Sequence, residues 1–214
     1  MKPPADIRFL ITAGPTREFF DPIRYISNRS SGKMGYAIAE AARAISPQVV
    51  LVSGPTALTP PKGVEFVSVT TAEQMAKAVW RLFGGVDVCI MAAAVCDFRP
   101  TKTAAKKIKK GTFSGVLELE PTPDILAELG RSRKSQVLVG FAAETDDLEK
   151  NARQKLLRKG LSFIVANDAS TFEAETSRPS FLGGEGKIER LPEMPKSEVA
   201  KAIVERAMRL VRPP

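Results

Sequence analysis

The sequence contains no histidine and only two cysteines, Cys89 and Cys96. The first absence removes the Ser-His-Asp and Cys-His nucleophile systems and every His-ligated metal. The scarcity of cysteine argues against a disulfide scaffold or a cysteine-rich zinc site; both thiols lie inside or just after an apolar run and are expected to be buried and reduced. Chemistry must therefore come from carboxylates, lysines, arginines, amides or backbone groups. Aromatic residues make up only 7% of the chain, and no basic stretch alternates with them as a base-stacking surface for nucleic acid would require. No apolar run reaches the roughly 20 residues of a membrane span, and the opening MKPPADIRF has no signal-peptide apolar segment. The expectation is a cytoplasmic protein with neither a membrane nor a nucleic-acid partner.

What is present is ordinary in bulk: 214 residues, 43% hydrophobic and 26% charged, enough for one domain with a substantial core. The net charge of +8 predicts attraction to anions, and with nucleic acid and acidic membrane disfavoured, phosphorylated small molecules lead.

Short apolar runs alternate with helical patterns. Residues 7–14, 49–54, 64–69, 86–95, 137–144 and 162–168 read as strands buried on both faces, most of them bounded by Gly, Pro or Asx. Between them lie helix patterns at about 33–45, 72–83, 123–129 and 146–159, and a last one near 197–211. The second carries a Thr71-x-x-Gln74 capping box, and the third predicts Thr122 as cap with Pro123 at the first helical position. Such alternation predicts an α/β chain, a Rossmann-like doubly wound, mostly parallel sheet with helices on both faces. SFLGGEGKIERL adds a small C-terminal hairpin turning through Gly183 to Gly186. Two long connections, 14–32 and 98–122, break the rhythm, the second ending in a short strand-like VLELE, and long loops in compact domains commonly carry function.

The first loop ends SNRSSGKMG (27–35). Its Gly-Lys pair is not a Walker motif, because Ser27 and Met34 stand where a glycine and a Ser or Thr are needed. It does open a helix directly after the first strand, where backbone amides and the helix dipole hold anionic oxygen. Gly32 and Gly35 permit close approach, and Ser30 or Ser31 is a candidate cap. The competing reading is a capped helix start with packing glycines. Arg24 can grip a carboxylate or phosphate, and Asn28 can hydrogen-bond an acyl oxygen. After the fourth strand, Met91, Ala92, Ala93 and Ala94 leave bare backbone for a planar base or sugar, and Asp97 offers a carboxylate to a hydroxyl or a magnesium ion, or closes an Asx turn. Lys106-Lys107-Ile108-Lys109-Lys110 is either solvated surface or a mobile arm over developing polyphosphate charge. Lys155 and Lys159, four apart, share a helix face where like charges cost a few tenths of a kcal/mol (about 0.2–0.5); they are phosphate or base contacts, or cations favoured by the helix C-terminus. Phe141 is either core or a wall for a base.

Taken together, ITAGPTRE, DPIRYISNRSSGKMG, AAAVCDFRP, KIKK, TPDIL, GFAAET, ARQKLLRKGL and VAND occur in one order across nearly the whole chain. In this the sequence resembles phosphopantothenoylcysteine synthetase, the second half of the bifunctional coenzyme A biosynthesis flavoproteins; the flavin-holding decarboxylase half has no room here. The resemblance implies a single synthetase domain over 1–214 with a flexible lysine flap at about 99–113, either a stand-alone enzyme or an excised domain. It implies a ligase that activates 4'-phosphopantothenate with a nucleoside triphosphate and magnesium, then passes the acyl group to L-cysteine. CTP is expected from the Lys-x-Lys-Lys flap, with ATP as the alternative. Asn28 would hold the acyl intermediate, Arg24 would assist at the pantothenate end, and Lys107 would be the principal flap lysine. The helix start at Ser30, Ser31, Gly32 and Gly35 would lie beside the nucleotide phosphates. Met91, Ala92, Ala93, Ala94 and Asp97 would meet base and ribose, with Pro123, Asp124, Ile125, Leu126, Phe141, Lys155 and Lys159 completing the pocket. The resemblance also implies a homodimer, with the hairpin as a candidate contact; a decarboxylase on a separate chain is a candidate partner. Cys96 departs from the small residue expected there, with no functional consequence inferred.

Two readings from other classes stay in play: a Rossmann-type NAD(P)-binding oxidoreductase and a non-catalytic nucleotide-binding module. The first lacks G-x-G-x-x-G after strand one and an acidic residue at the end of strand two. The second has no obvious need of a lysine flap.

Overall fold

The computed structural model describes residues 2–112, 114–144, 148–168, 175–183 and 187–211. In chain order the strands are β1 (Phe9–Ala13), β2 (Arg17–Phe19), β3 (Tyr25–Ser27), β4 (Val49–Ser53), β5 (Glu65–Ser68), β6 (Val88–Met91), β7 (Phe98–Pro100), β8 (Leu119–Pro121), β9 (Val137–Glu144), β10 (Phe163–Asp168), β11 (Thr176–Ser177), β12 (Ser180–Gly183), β13 (Ile188–Arg190) and β14 (Met194–Pro195). The α-helices are α1 (Lys33–Arg43), α2 (Ala72–Phe83), α3 (Ile125–Ser132), α4 (Leu148–Arg158) and α5 (Lys196–Leu210).

Period-two geometry sends successive side chains of a strand to opposite faces. Phe9, Ile11 and Ala13 of β1 pack with Ile38 and Ala39 of α1 and Ile203 and Val204 of α5. Leu10 goes the other way, to a second core built from Met75 and Val79 of α2, Leu129 of α3 and Leu156 of α4. A continuous apolar run is thus what a strand covered on both sides requires, and each fully buried Phe, Ile or Leu contributes ~1.5–3 kcal/mol over leaving it in water.

The main sheet runs β13-β12-β10-β9-β6-β1-β4-β5. β10, β9, β6, β1, β4 and β5 are parallel, and β12 and β13 add an antiparallel edge. Counting only parallel strands the order is 3-2-1-4-5-6, so the winding reverses between β1 and β6, and a crevice opens at their carboxyl ends. A parallel bridge from Pro15 to Ala94 prolongs this pair beyond the strands. The doubly wound expectation is met, and β12 pairs with β13 as the expected hairpin; its turn, 184–186, lies outside the described residues. The expectation that 64–69 is buried on both faces is not met: β5 ends the sheet, with no strand beyond it among the described residues, and Glu65, Phe66 and Ser68 are exposed.

Several local expectations are corrected. The connection 14–32 contains a β2–β3 hairpin, and in 98–122 the strand-like VLELE yields β8, which pairs with a further strand, β7. The Thr71–Gln74 capping box forms as read. For α1, however, neither serine caps: Gly32 is the N-cap at φ 78°, with no side-chain cap bond, and the Ser30 and Ser31 hydroxyls accept only long bonds from the N–H of Gly32 and Lys33, at 3.4 and 3.5 Å. A left-handed residue at this place is cheap only as glycine. For α3 the cap is Asp124, whose carboxylate accepts from Ala127 N–H at 3.1 Å; Thr122 instead donates its hydroxyl to the Cys96 carbonyl.

Gly35 is the packing glycine of α1. A Cβ there would stand 2.5 Å from Ala13 Cβ and 2.9 Å from Thr12 O, both on β1. Gly35→Ala should therefore push helix and strand apart at a cost of about 1–3 kcal/mol, lowering the thermal midpoint by about 2–12 °C. An unchanged midpoint in thermal unfolding would mean that the contact yields freely.

Candidate active site

Two adjoining cavities occupy the crevice. One, about 440 Å³, is lined by Met91, Ala93, Asp97, Pro123, Asp124, Ile125, Leu126, Phe141, Lys155 and Lys159, among others. The other, about 400 Å³, is lined by Asn28, Ser30, Ser31, Gly32, Gly35, Ala92, Ala93, Ala94 and Asp97, with Phe141 and Lys155 again. Ala93, Val95, Asp97, Phe141 and Lys155 belong to both. All but two of the residues singled out in the sequence thus converge on one cleft, although they come from five separate stretches of chain.

The segment 92–97 is the floor, and threonines pin it on both sides. Ala93 N–H donates to Thr12 Oγ1 at 3.1 Å and Cys96 N–H to Thr16 Oγ1 at 2.9 Å. Thr122 N–H reaches the Asp97 carbonyl at 2.9 Å. Small side chains leave backbone open, while these bonds satisfy the polar groups that leaving a strand exposes. Asn28 is tied to the same floor: its Nδ2 donates to the Ala94 and Val95 carbonyls at 3.2 and 3.0 Å. Both partners are acceptors, which settles the amide orientation. Both thiols are buried and free; burial pushes each above the ordinary thiol range.

The cleft is cationic. Lys155 Nζ donates to the Phe141 carbonyl at 2.7 Å, and Lys159 Nζ to Asp124 Oδ1 at 2.9 Å. Burial pushes the Asp124 carboxyl up, but Lys159, the Ala127 N–H and Arg158 outweigh it and leave the carboxyl below its ordinary value. Three cations not expected in the site from the sequence also line it, Arg29, Lys33 and Lys196. Lys33 pairs with Glu175, which holds that carboxyl low. Lys196 is only 8% exposed; burial and then the nearby Lys33 depress its ammonium, with Glu175 opposing. Nothing local marked Lys196, which opens the last helix some 100 residues after the floor it faces. Lys33 was discounted with the failed Walker pattern, yet it occupies the first helical position beside the cavity. Val95, Cys96 and Phe98 were likewise missed as wall residues.

Arg24 and Lys107 are the two residues not brought to the cavity walls. Arg24 pairs with the buried Asp21 and donates Nη2 to the Ile108 carbonyl at 2.8 Å. Lys107 is exposed in the connection between β7 and β8. Among the described residues no group of three or more His, Cys, Asp or Glu is placed to hold a metal ion, and no helix is long and apolar enough to cross a membrane.

Residues 5–210 match the family model of the DNA/pantothenate metabolism flavoprotein C-terminal domain. The chain is 46% identical over 201 residues, 92% of its length and 50% of the relative's, to the coenzyme A biosynthesis bifunctional protein CoaBC of Bacillus subtilis. It is 44% identical over 216 residues, 98% of the chain and 60% of the relative, to a cysteine/cysteine sulfinic acid decarboxylase of an unknown prokaryotic organism. The chain thus spans about half the length of the curated relatives it matches. A crystal structure of the C-terminal domain of the coenzyme A biosynthesis bifunctional protein CoaBC superimposes with a TM-score of 0.85 at 43% identity, covering 98% of each chain. With a crevice at the switch point, a glycine-started helix beside it and these matches along almost its whole length, the chain belongs to the family of the DNA/pantothenate metabolism flavoprotein C-terminal domain.

Proposed function

We propose that this chain is a phosphopantothenate–cysteine ligase acting through an acyl-cytidylate. A carboxylate oxygen of 4'-phosphopantothenate attacks the α-phosphorus of CTP, the bond to the β-phosphate breaks, and pyrophosphate leaves. The cysteine amine then attacks the acyl carbon, the acyl–oxygen bond breaks, CMP departs, and the amine gives up a proton as the amide forms. Neither step needs a histidine or a covalent nucleophile; both need positioning and neutralised charge. The observation that carries the reading is the meeting of Asn28, the α1 start and the cations Lys33, Lys155, Lys159 and Lys196 around one cleft of the size a nucleotide needs.

Asn28, Arg24 and Lys107 are assigned to catalysis. The α1 start is assigned to phosphates, and Met91 to Ala94, Asp97, Pro123 to Leu126, Phe141, Lys155 and Lys159 to the rest of the nucleotide. Magnesium would arrive on the triphosphate, where one wall carboxylate such as Asp97 and several waters suffice. The whole chain would act as one synthetase domain with a mobile lysine flap, working as a homodimer; a decarboxylase, on the same or a separate chain, would consume the product.

Purified protein given phosphopantothenate, magnesium, cysteine and either CTP or ATP should release pyrophosphate, faster with CTP. No release with any nucleoside triphosphate would sink the ligase reading, whereas faster release with ATP would overturn only the choice of nucleotide.

A further inference from the structure

We propose that Asp21 is a positioning residue that docks the lysine flap by gripping the main chain of Ile108, and so sets where Lys107 stands. The docking stands on geometry; its catalytic consequence rests on the ligase reading.

Asp21 lies in the turn between β2 and β3 with its side chain 0% exposed. Oδ1 accepts from Ile23 N–H at 2.9 Å and Arg24 N–H at 2.8 Å. Oδ2 accepts from Arg24 Nε at 2.9 Å and from Ile108 N–H at 3.2 Å, 87 residues away in sequence. Arg24 Nη2 then donates to the Ile108 carbonyl at 2.8 Å. One flap residue is thus held at both its N–H and its C=O by the two ends of a single ion pair. Two further bonds run the same way: Ala104 N–H to the Phe20 carbonyl at 3.0 Å and Thr103 Oγ1 to the Phe19 carbonyl at 2.9 Å. Within the run 106–110, Ile108 is the half-buried residue and the four lysines are exposed.

A carboxylate that merely stabilised its own turn would be satisfied by Ile23 and Arg24. The additional bond to Ile108 reaches across to the segment that carries the candidate catalytic lysine. Because the grip is on backbone, the side chain at 108 is secondary and the N–H is essential.

Trypsin reads the docking directly, since residues 106–110 present four exposed lysines. Cleavage of the full chain after Lys106, Lys109 and Lys110, followed by mass spectrometry, should accelerate about tenfold in Asp21→Asn and in Ile108→Pro, the factor that losing one or two net hydrogen bonds gives; the bond after Lys107 is left out of the comparison because trypsin does not cut before proline. Ile108→Ala, which keeps the N–H, should be cut at the parent rate. Under the ligase reading, Ile108→Pro should lower kcat several-fold more than it raises KM, because a misplaced flap lysine fails in the reacting complex. Unchanged cleavage in Ile108→Pro overturns the docking, and it decides the matter even if Asp21→Asn fails to fold. Faster cleavage with unaltered kcat overturns the link to Lys107. Faster cleavage in a chain whose parent form makes no pyrophosphate leaves the docking intact and removes the ligase reading instead.

Discussion

Asn28→Ala should still release pyrophosphate from CTP and phosphopantothenate yet make amide product ~10²–10³-fold more slowly than the parent, the usual loss on deleting one preorganised group at an acyl-transfer centre. The geometry sharpens what that group offers. Both amide hydrogens of Asn28 are engaged by the Ala94 and Val95 carbonyls, so in this arrangement the atom it can present to a reactant is the acceptor Oδ1. That suits an incoming cysteine amine; donation to an acyl oxygen would first require the amide to release one carbonyl. Asn28→Asp should also accumulate acyl-nucleotide, and more disruptively, because a carboxylate would face two carbonyl oxygens that it cannot donate to. The measurement is a split assay, with pyrophosphate release against amide formation and quenched samples examined for the acyl-cytidylate. A variant already failing at pyrophosphate release would move Asn28 out of the amide-forming step.

Lys107→Gln should lower turnover by ~10²–10³-fold, with the loss in the pyrophosphate-releasing step, where negative charge grows on the departing phosphates. Its stability should stay within about 0.5 kcal/mol of the parent, as expected when an exposed side chain is trimmed. The pair of results is the point: the exposure of Lys107 makes a folding explanation for lost activity untenable, so thermal unfolding and single-turnover kinetics together assign the role. Normal turnover would return the whole run 106–110 to solvated surface.

How far the sequence could be read follows from the range of the forces involved. Five of the six parallel strands and the five helices were legible because burial imposes a local pattern, an unbroken apolar run or a 3.6-residue stripe, that needs no knowledge of the partner; β5 carries a similar run but lies at the sheet edge with Glu65, Phe66 and Ser68 exposed. The capping box of α2 was legible for the same reason: its donor and acceptor sit three residues apart. The caps of α1 and α3 were misassigned because several polar residues compete at each start and distant contacts choose among them. Thr122 was taken by the Cys96 carbonyl, which left Asp124 to cap α3. The strands within 14–32 and 98–122 are three residues each; β8 showed through the strand-like VLELE, while β2, β3 and β7 carry no period of their own. β2 is held in place by bonds from elsewhere, Arg17 N–H to the Thr70 carbonyl at 2.8 Å and Ala72 N–H to the buried Glu18 carboxylate at 2.8 Å.

By itself the sequence determined the doubly wound sheet and a chemistry without histidine, both consequences of residue type and near-neighbour spacing. It also located the cleft, because ligands in such sheets gather where strands end and the winding reverses. Only the tertiary structure decided that Lys196 enters that cleft from the last helix, that Lys33 lines it after all, and that Arg24 turns to Asp21 and the Ile108 backbone instead of a cavity wall. Apart from the local Arg24–Asp21 pair, those outcomes depend on contacts between residues far apart in sequence, such as Arg24 with Ile108 and Lys33 with Glu175, formed only once the intervening chain has closed, and such closure leaves no local mark on the residues it joins.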